Sequence, residues 1–94
     1  MQDKIVIITG ANSGIGFETA KALAEQGAQV VMACRDATRA EAALQSLKLA
    51  VPQAQAQLMS LDLSSFDSIR AFVNDFQSQF KQLDVLVNNA GLFP

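Results

Sequence analysis

Histidine, tyrosine and tryptophan are absent from this sequence of 94 residues, and cysteine occurs once. Without His there is no imidazole for acid–base work, for a Ser–His triad or for binding a metal, and without Tyr there is no phenol acid. The single Cys34 excludes an internal disulfide and a cysteine metal cage, and it suits a reducing compartment. No metal site is expected. Strictly apolar runs extend no further than about five residues, far short of a membrane span. The opening Met1-Gln2-Asp3-Lys4 lacks the basic flank and long apolar stretch of a signal peptide, so a cytoplasmic location is expected. Seven basic residues against 9 acidic ones, net charge −2, form no basic stripe, which argues against duplex nucleic acid as a partner.

What is present is a chain 50% hydrophobic and 17% charged, the composition of one packed domain over residues 1–94. Ile5-Val6-Ile7-Ile8 is continuous and β-branched, the pattern of a strand covered on both faces. A helix carrying Ile15, Ala20, Leu23 and Ala24 follows, with Gly27 at its C′ position. Gln29 to Cys34 reads as a second strand. The next helix has an apolar stripe of Ala40, Ala43, Leu44, Leu47, Ala50 and Val51, with Asp36 as N-cap and Pro52 as the stop. The alternation from Gln53 to Leu58 suits the approach to a half-exposed edge strand that continues through Met59 to Leu61. Ser64 and Asp67 resemble a capping box ahead of a third stripe, Phe66, Ile69, Phe72, Val73, Phe76 and Phe80. Asp84 to Val87 reads as a fourth strand. The succession β-α-β-α-β-α-β calls for an α/β fold with a parallel sheet.

The first strand runs directly into Thr9-Gly10-Ala11-Asn12-Ser13-Gly14-Ile15-Gly16, and a helix begins inside that loop. A glycine-rich turn lets backbone approach a pyrophosphate, and the helix N-terminus offers unpaired N–H groups and a partial positive charge. Gly10, Gly14 and Gly16 would serve the turn, the close approach and the helix–strand packing, respectively. The spacing is G-x-x-x-G-x-G and no Lys-Ser/Thr pair follows the last glycine, so a nucleoside-triphosphate P-loop is excluded.

The stretch Thr9 to Gly16 (TGANSGIG), followed after the fourth strand by Asn88-Asn89-Ala90-Gly91 (NNAG), resembles the short-chain dehydrogenase/reductase family. Leu61-Asp62-Leu63 lies between the two motifs in the family's order. Ala33-Cys34-Arg35-Asp36 is similar to retinol-dehydrogenase-like and protochlorophyllide-reductase-like members. The resemblance implies a Rossmann-type half fold: strand order 3-2-1-4, helices on both faces, and a chain that stops after the fourth strand.

It also implies roles for individual residues. Gly10, Asn12, Ser13, Gly14, Ile15 and Gly16 would hold the pyrophosphate and nearby ribose of a nicotinamide dinucleotide. Asp62 would accept from the adenine amino group, with Leu63 contributing its backbone. Asn89, Ala90 and Gly91 would pass beside the adenosine ribose, while Asn88 would tie the sheet together. Cys34 stands where NAD-preferring members often carry Asp, and Arg35 follows it, so NADP(H) is favoured over NAD(H). Ser13 stands where many NADP-preferring relatives place a second basic residue. Arg39, like Lys21, Lys48 and Lys81, reads as a solvated charge, and Cys34 as a small half-buried residue at a strand end.

The family's proton donor is a Tyr assisted by Lys, Ser and Asn further along the fold; no catalytic residue can be carried onto this chain. Two readings stand. One is the NADP(H)-binding portion of an oxidoreductase that transfers hydride between nicotinamide and an alcohol or carbonyl, a bulky apolar one by the branch resemblance. The other is a dinucleotide-binding or interaction module without redox chemistry, or an engineered minimal Rossmann fragment. The fourth strand's edge, Val85 to Asn88, would be bare and apolar, so pairing with a second copy or a complementary segment is expected there.

Overall fold

A computed structural model of the chain describes residues 1–12 and 14–89. Ser13, Ala90 and Gly91, all expected site residues, lie outside the described residues. The elements run β1 (Ile5–Thr9), α1 (Gly14–Glu25), β2 (Gln29–Cys34), α2 (Ala37–Ala50), β3 (Gln55–Ser60), α3 (Phe66–Gln79) and β4 (Val85–Val87). The strands form one parallel sheet in the order β3-β2-β1-β4, as expected. Ile5 pairs with Gln29 and Thr9 with Ala33, while Ile7 faces Leu86 on the other side. Parallel pairing in this register brings the carboxyl ends of all four strands to one edge.

Successive residues of β1 and β2 point to opposite faces, and both faces are covered. On one face Val6, Ile8, Val30 and Met32 pack under α1 and α2, against Ala20, Ala24, Ala40, Ala43, Leu44 and Leu47. On the other, Ile7, Val31, Ala33, Met59 and Leu61 pack under α3, against Phe72 and Phe76. The rings of Phe72, Phe76 and Phe80 stack along α3 with centroids 6.3 and 4.9 Å apart, a favourable offset arrangement. Among the described residues no helix is long and apolar enough to cross a membrane.

Several expected core positions are solvated instead. Ile15 is 79% exposed, because α1 turns its Gly16–Ala20–Ala24 row to the sheet and Ile15 lies one residue, about 100°, off that row. Ala50 is exposed at the end of α2, where the buried row passes from Leu47 to Val51 instead. Phe66 is 84% exposed: it is the first residue of α3, whose buried residues are Phe72 and Phe76. Val73 is 43% exposed on the flank of α3. The helices were legible in these segments; which row of each helix meets the sheet was not.

The caps divide in the same way. Asp36 caps α2 as expected, accepting from the Arg39 N–H at 3.0 Å. The capping residue of α3, however, is Ser65 and not Ser64: Ser65 Oγ accepts from Ser68 N–H at 3.1 Å. Ser64 is held away from the helix, donating its N–H and its hydroxyl to Asp62 Oδ1 at 2.9 and 2.6 Å. In this frame Asp67 occupies the second helical position, where it favours the helix dipole without closing a capping box.

At the opposite edge of the sheet, Asp84 lies just before β4 and acts as a clamp. Ile5 N–H donates to Asp84 Oδ2 at 2.8 Å and Asp84 N–H donates to the Ile5 carbonyl at 2.9 Å. The Ile5 N–H holds the Asp84 carboxyl below its usual range, and the Gln82 amide and the charge of Lys4 add to this. A carboxylate with a depressed folded pKa stabilises fully above its unfolded value, about 3.9, and that stabilisation disappears as pH falls through the folded value. Asp84→Asn should therefore lower stability at neutral pH and flatten its dependence below about pH 4, measured by urea unfolding across pH. In the core, Leu47→Ala at a fully buried position should cost about 2–5 kcal/mol. Leu49→Ala, two residues on and 84% exposed, should stay within about 0.5 kcal/mol in the same urea measurements.

Candidate functional site

The site begins where β1 ends. Among the described residues Thr9 is the one buried polar side chain, 4% exposed at the end of an otherwise aliphatic strand. Its hydroxyl donates to Asn88 Oδ1 at 3.1 Å and accepts from Asn89 N–H at 2.8 Å, which binds the ends of β1 and β4 together. Gly10 N–H donates to the Ala33 carbonyl at 2.9 Å, tying the loop to β2 on the other side. Asn89 then donates its side-chain amide to the Gly10 carbonyl at 3.2 Å. The loop is thus fastened to both neighbouring strands at the point where the strand order reverses, the crevice in which doubly wound sheets bind ligands.

Two glycines shape the cradle in different ways. Gly14 opens α1 at φ +58°, and a Cβ there would meet nothing within 4 Å, so the space above the loop is clear for a ligand. Gly16 is the reverse case: a Cβ would lie 2.5 Å from the Gly10 carbonyl oxygen and 3.2 Å from the Ala11 Cα, with the Asn89 amide pressing on the same spot. Only a residue without a side chain lets α1 start this close to the loop. A cradle with open space over a helix N-terminus fits the pyrophosphate of a dinucleotide.

Beside the loop, Cys34 is buried beneath Ala11 and Asn12. Burial pushes its thiol up, while the N–H groups of Ala11 and Asn12, donating toward sulfur, pull the other way. The net direction is upward, which keeps Cys34 a neutral thiol and not a nucleophile. Arg35, the next residue, is exposed.

The Leu61 N–H donates to the Cys34 carbonyl at 3.0 Å, and this brings Asp62 to the Arg35 side of the site. The Ser64 hydroxyl and N–H hold the Asp62 carboxyl below its usual range, and the charge of Arg35 acts in the same direction. Asp62 is therefore an anion at neutral pH. Ser64 makes both of these bonds to Oδ1 of Asp62.

Of the sequence-derived candidates, the structure brings Gly10, Asn12, Gly14, Gly16, Arg35, Asp62 and Asn89 to the carboxyl edge of the sheet. Ile15 stands out into solvent beside the loop, and Leu63 is 42% exposed after β3. Asn88 bonds to Thr9, while Asn89, placed by the motif beside a ribose, also braces Gly10. One residue of this bonding network, Thr9, escaped the reading of the sequence, although it was legible as a lone hydroxyl closing a buried strand.

Two grooves flank the loop. One of about 1000 Å³ lies between α1 and α2 and reaches Asn12 and Gly14, with Arg39 on its α2 wall. The other, about 470 Å³, runs between α3 and β4 and reaches Thr9, Leu63 and Asn88. Among the described residues no three His, Cys, Asp or Glu side chains gather as a metal cage.

The family profile described as short chain dehydrogenase matches residues 4–94. The chain belongs to the short-chain dehydrogenase family. It is 48% identical to retinol dehydrogenase 12 of Homo sapiens over 89 residues, which are 95% of this chain and 28% of that protein. It is 52% identical to the chloroplastic protochlorophyllide reductase of Daucus carota over 89 residues, 94% of this chain and 22% of that one. Among solved structures, menthone neomenthol reductase from Mentha piperita superposes with a TM-score of 0.90 at 37% identity, over 98% of this chain and 33% of its own. L-Sorbose reductase from Gluconobacter frateurii, complexed with NADPH and L-sorbose, gives a TM-score of 0.88 at 33% identity, over 100% of this chain and 35% of its own. The chain thus spans about a third or less of the family members it matches.

The geometry of the cradle yields one test. Gly16→Ala should destabilise the protein by about 1–3 kcal/mol in urea unfolding, against the helix-propensity gain of about 1 kcal/mol that Ala brings elsewhere.

Proposed function

We propose that this chain is the NADP(H)-binding part of an oxidoreductase that moves hydride between the nicotinamide and an alcohol or carbonyl. The observation that carries this reading is the end of β2: a buried neutral Cys34 in place of a carboxylate, followed by the exposed Arg35 beside the glycine loop. An acidic residue there would bond a ribose 2′-hydroxyl and repel a 2′-phosphate, whereas a guanidinium forks onto the phosphate. The NADPH named in the description of the L-sorbose reductase structure supports the same choice.

When bound, the dinucleotide supplies or takes up the hydride. The chain's own residues bind and orient it. Gly10 to Gly16 form the cradle under the pyrophosphate, with Asn12, Ser13 and Ile15 contributing loop surface. Asp62, kept ionised, accepts the adenine amino group while Leu63 offers backbone. Asn89, Ala90 and Gly91 follow the ribose. No Tyr is present among the 94 residues, so this chain by itself binds and does not donate the proton of the reaction. The retinol and protochlorophyllide in its relatives' names support a bulky apolar substrate. A reducing compartment such as the cytoplasm suits the single buried thiol. The outer edge of β4, where Leu86 is 58% exposed, supports pairing with a further strand from a second copy or a complementary segment.

Calorimetric titration of the chain with NADPH and with NADH tests the reading. NADPH should bind more tightly, and Arg35→Ala should weaken it about ten- to hundredfold while leaving NADH nearly unchanged. Equal affinity for the two dinucleotides, or no binding by a chain shown folded by circular dichroism, would overturn it.

A further inference from the structure

Asp62 stands just past the end of β3. Leu61 N–H still donates to the Cys34 carbonyl, but Asp62 has left the sheet and its N–H finds a side chain instead. It donates to Ser68 Oγ at 2.8 Å, six residues on in α3. The Asp62 carbonyl accepts from Ser65 N–H at 3.1 Å, and its carboxylate accepts the N–H and the hydroxyl of Ser64. Backbone and side chain of Asp62 are therefore both held from the entry to α3.

The Ser68 hydroxyl is not the cap of that helix. Ser65 has that role, its Oγ accepting from Ser68 N–H, and Ser68 is already the third helical residue. Its place follows from packing. Residues four apart share one face of a helix, and Ser68, Phe72 and Phe76 form such a row. The two rings are buried against Ile7, Val31, Ala33 and Met59 of the sheet, which brings Ser68, half-buried, to the end of β3. The docking of α3 thus reaches Asp62 through one hydroxyl.

We infer that Ser68 is a positioning residue for base recognition: with Ser64 it fixes Asp62 so that the carboxylate accepts an amino group and rejects an oxo group in the same place. This rests on the dinucleotide reading above, in which Asp62 meets the adenine amino group. A hydrogen bond weakens steeply away from its preferred line, and a polar group held in place rejects a ligand that cannot pair with it. Hypoxanthine carries an oxygen where adenine carries the amino group. A fixed carboxylate opposes that oxygen, whereas a loosened one turns aside and gives up both the bond and the rejection.

The test is calorimetry with NADPH and with the analogue in which hypoxanthine replaces adenine. The unaltered chain should prefer NADPH about tenfold or more. Ser68→Ala should narrow that ratio about three- to fivefold by weakening NADPH, and Ser68→Thr, which keeps the hydroxyl, should restore it. Ser65→Ala removes the cap and should lower the thermal midpoint without moving the ratio, which separates positioning from helix stability. Ser64→Ala keeps its N–H bond to Asp62 and should narrow the ratio less; should Ser68→Ala not fold, this variant carries the same comparison. With Asp62→Ala already present, Ser68→Ala should change the ratio no further. Full preference for NADPH in a folded Ser68→Ala overturns the role of Ser68 and leaves the dinucleotide reading intact. A narrowing that Ser65→Ala reproduces rejects positioning as well. Equal affinity of the unaltered chain for the two ligands overturns this inference alone, and binding of neither overturns both readings.

Discussion

A buried hydroxyl at the end of β1 holds the site to the sheet. β1 lies between β2 and β4 and its aliphatic side chains fill both faces of the core, so its last residue cannot reach water. A buried polar group without a partner would be costly. Thr9 meets that demand with Asn88 and Asn89, and in doing so it closes β4 against β1 at their carboxyl ends. From there Asn89 reaches the Gly10 carbonyl, and Gly16 leaves room for the amide to do so. Loop, strand ends and helix start are therefore one connected unit, in which satisfying a core hydroxyl also shapes the ligand cradle.

Around that unit the charges are arranged as exposed arginines near anions. Arg35 bears on Asp62, and Arg39 rests on Asp36. Each carboxylate also does local backbone work, Asp62 holding the Ser64 turn and Asp36 capping α2. A ligand phosphate entering this region would meet cations that are held loosely in place, while the neutral Cys34 thiol offers it no repulsion. Polar recognition is thus concentrated at the strand ends, and the faces of the sheet remain apolar.

The two edges of the sheet differ in character. β3 presents Gln55 and Gln57, the latter bonded to Gln79 of α3 at 2.8 Å. β4 presents Leu86 and leads into the apolar groove beside α3. Family members that match this chain extend well beyond its share of their length.

Local signals in the sequence determined the element order, the parallel sheet and the glycine loop. Continuous β-branched runs, helical periodicity and the Asp36 cap each depend on residues within a few positions of one another, and the strands, the helices and the cap of α2 form in those segments. The strand order 3-2-1-4 was an implication of the family resemblance carried by TGANSGIG and NNAG, and the sheet has that order. Tertiary structure decided what depends on the phase between elements. Ile15 and Phe66 face water, because which row of a helix meets the sheet is decided only when the helix docks. The cap of α3 moved by one residue, from Ser64 to Ser65, because Asp62 competes for Ser64 from across the turn. Arg39 is a solvated charge, as its sequence setting suggested, and only the docking of α2 beside α1 places it on the wall of the loop's groove. Contacts between residues distant in sequence, and the water they exclude or admit, are set only when the elements dock.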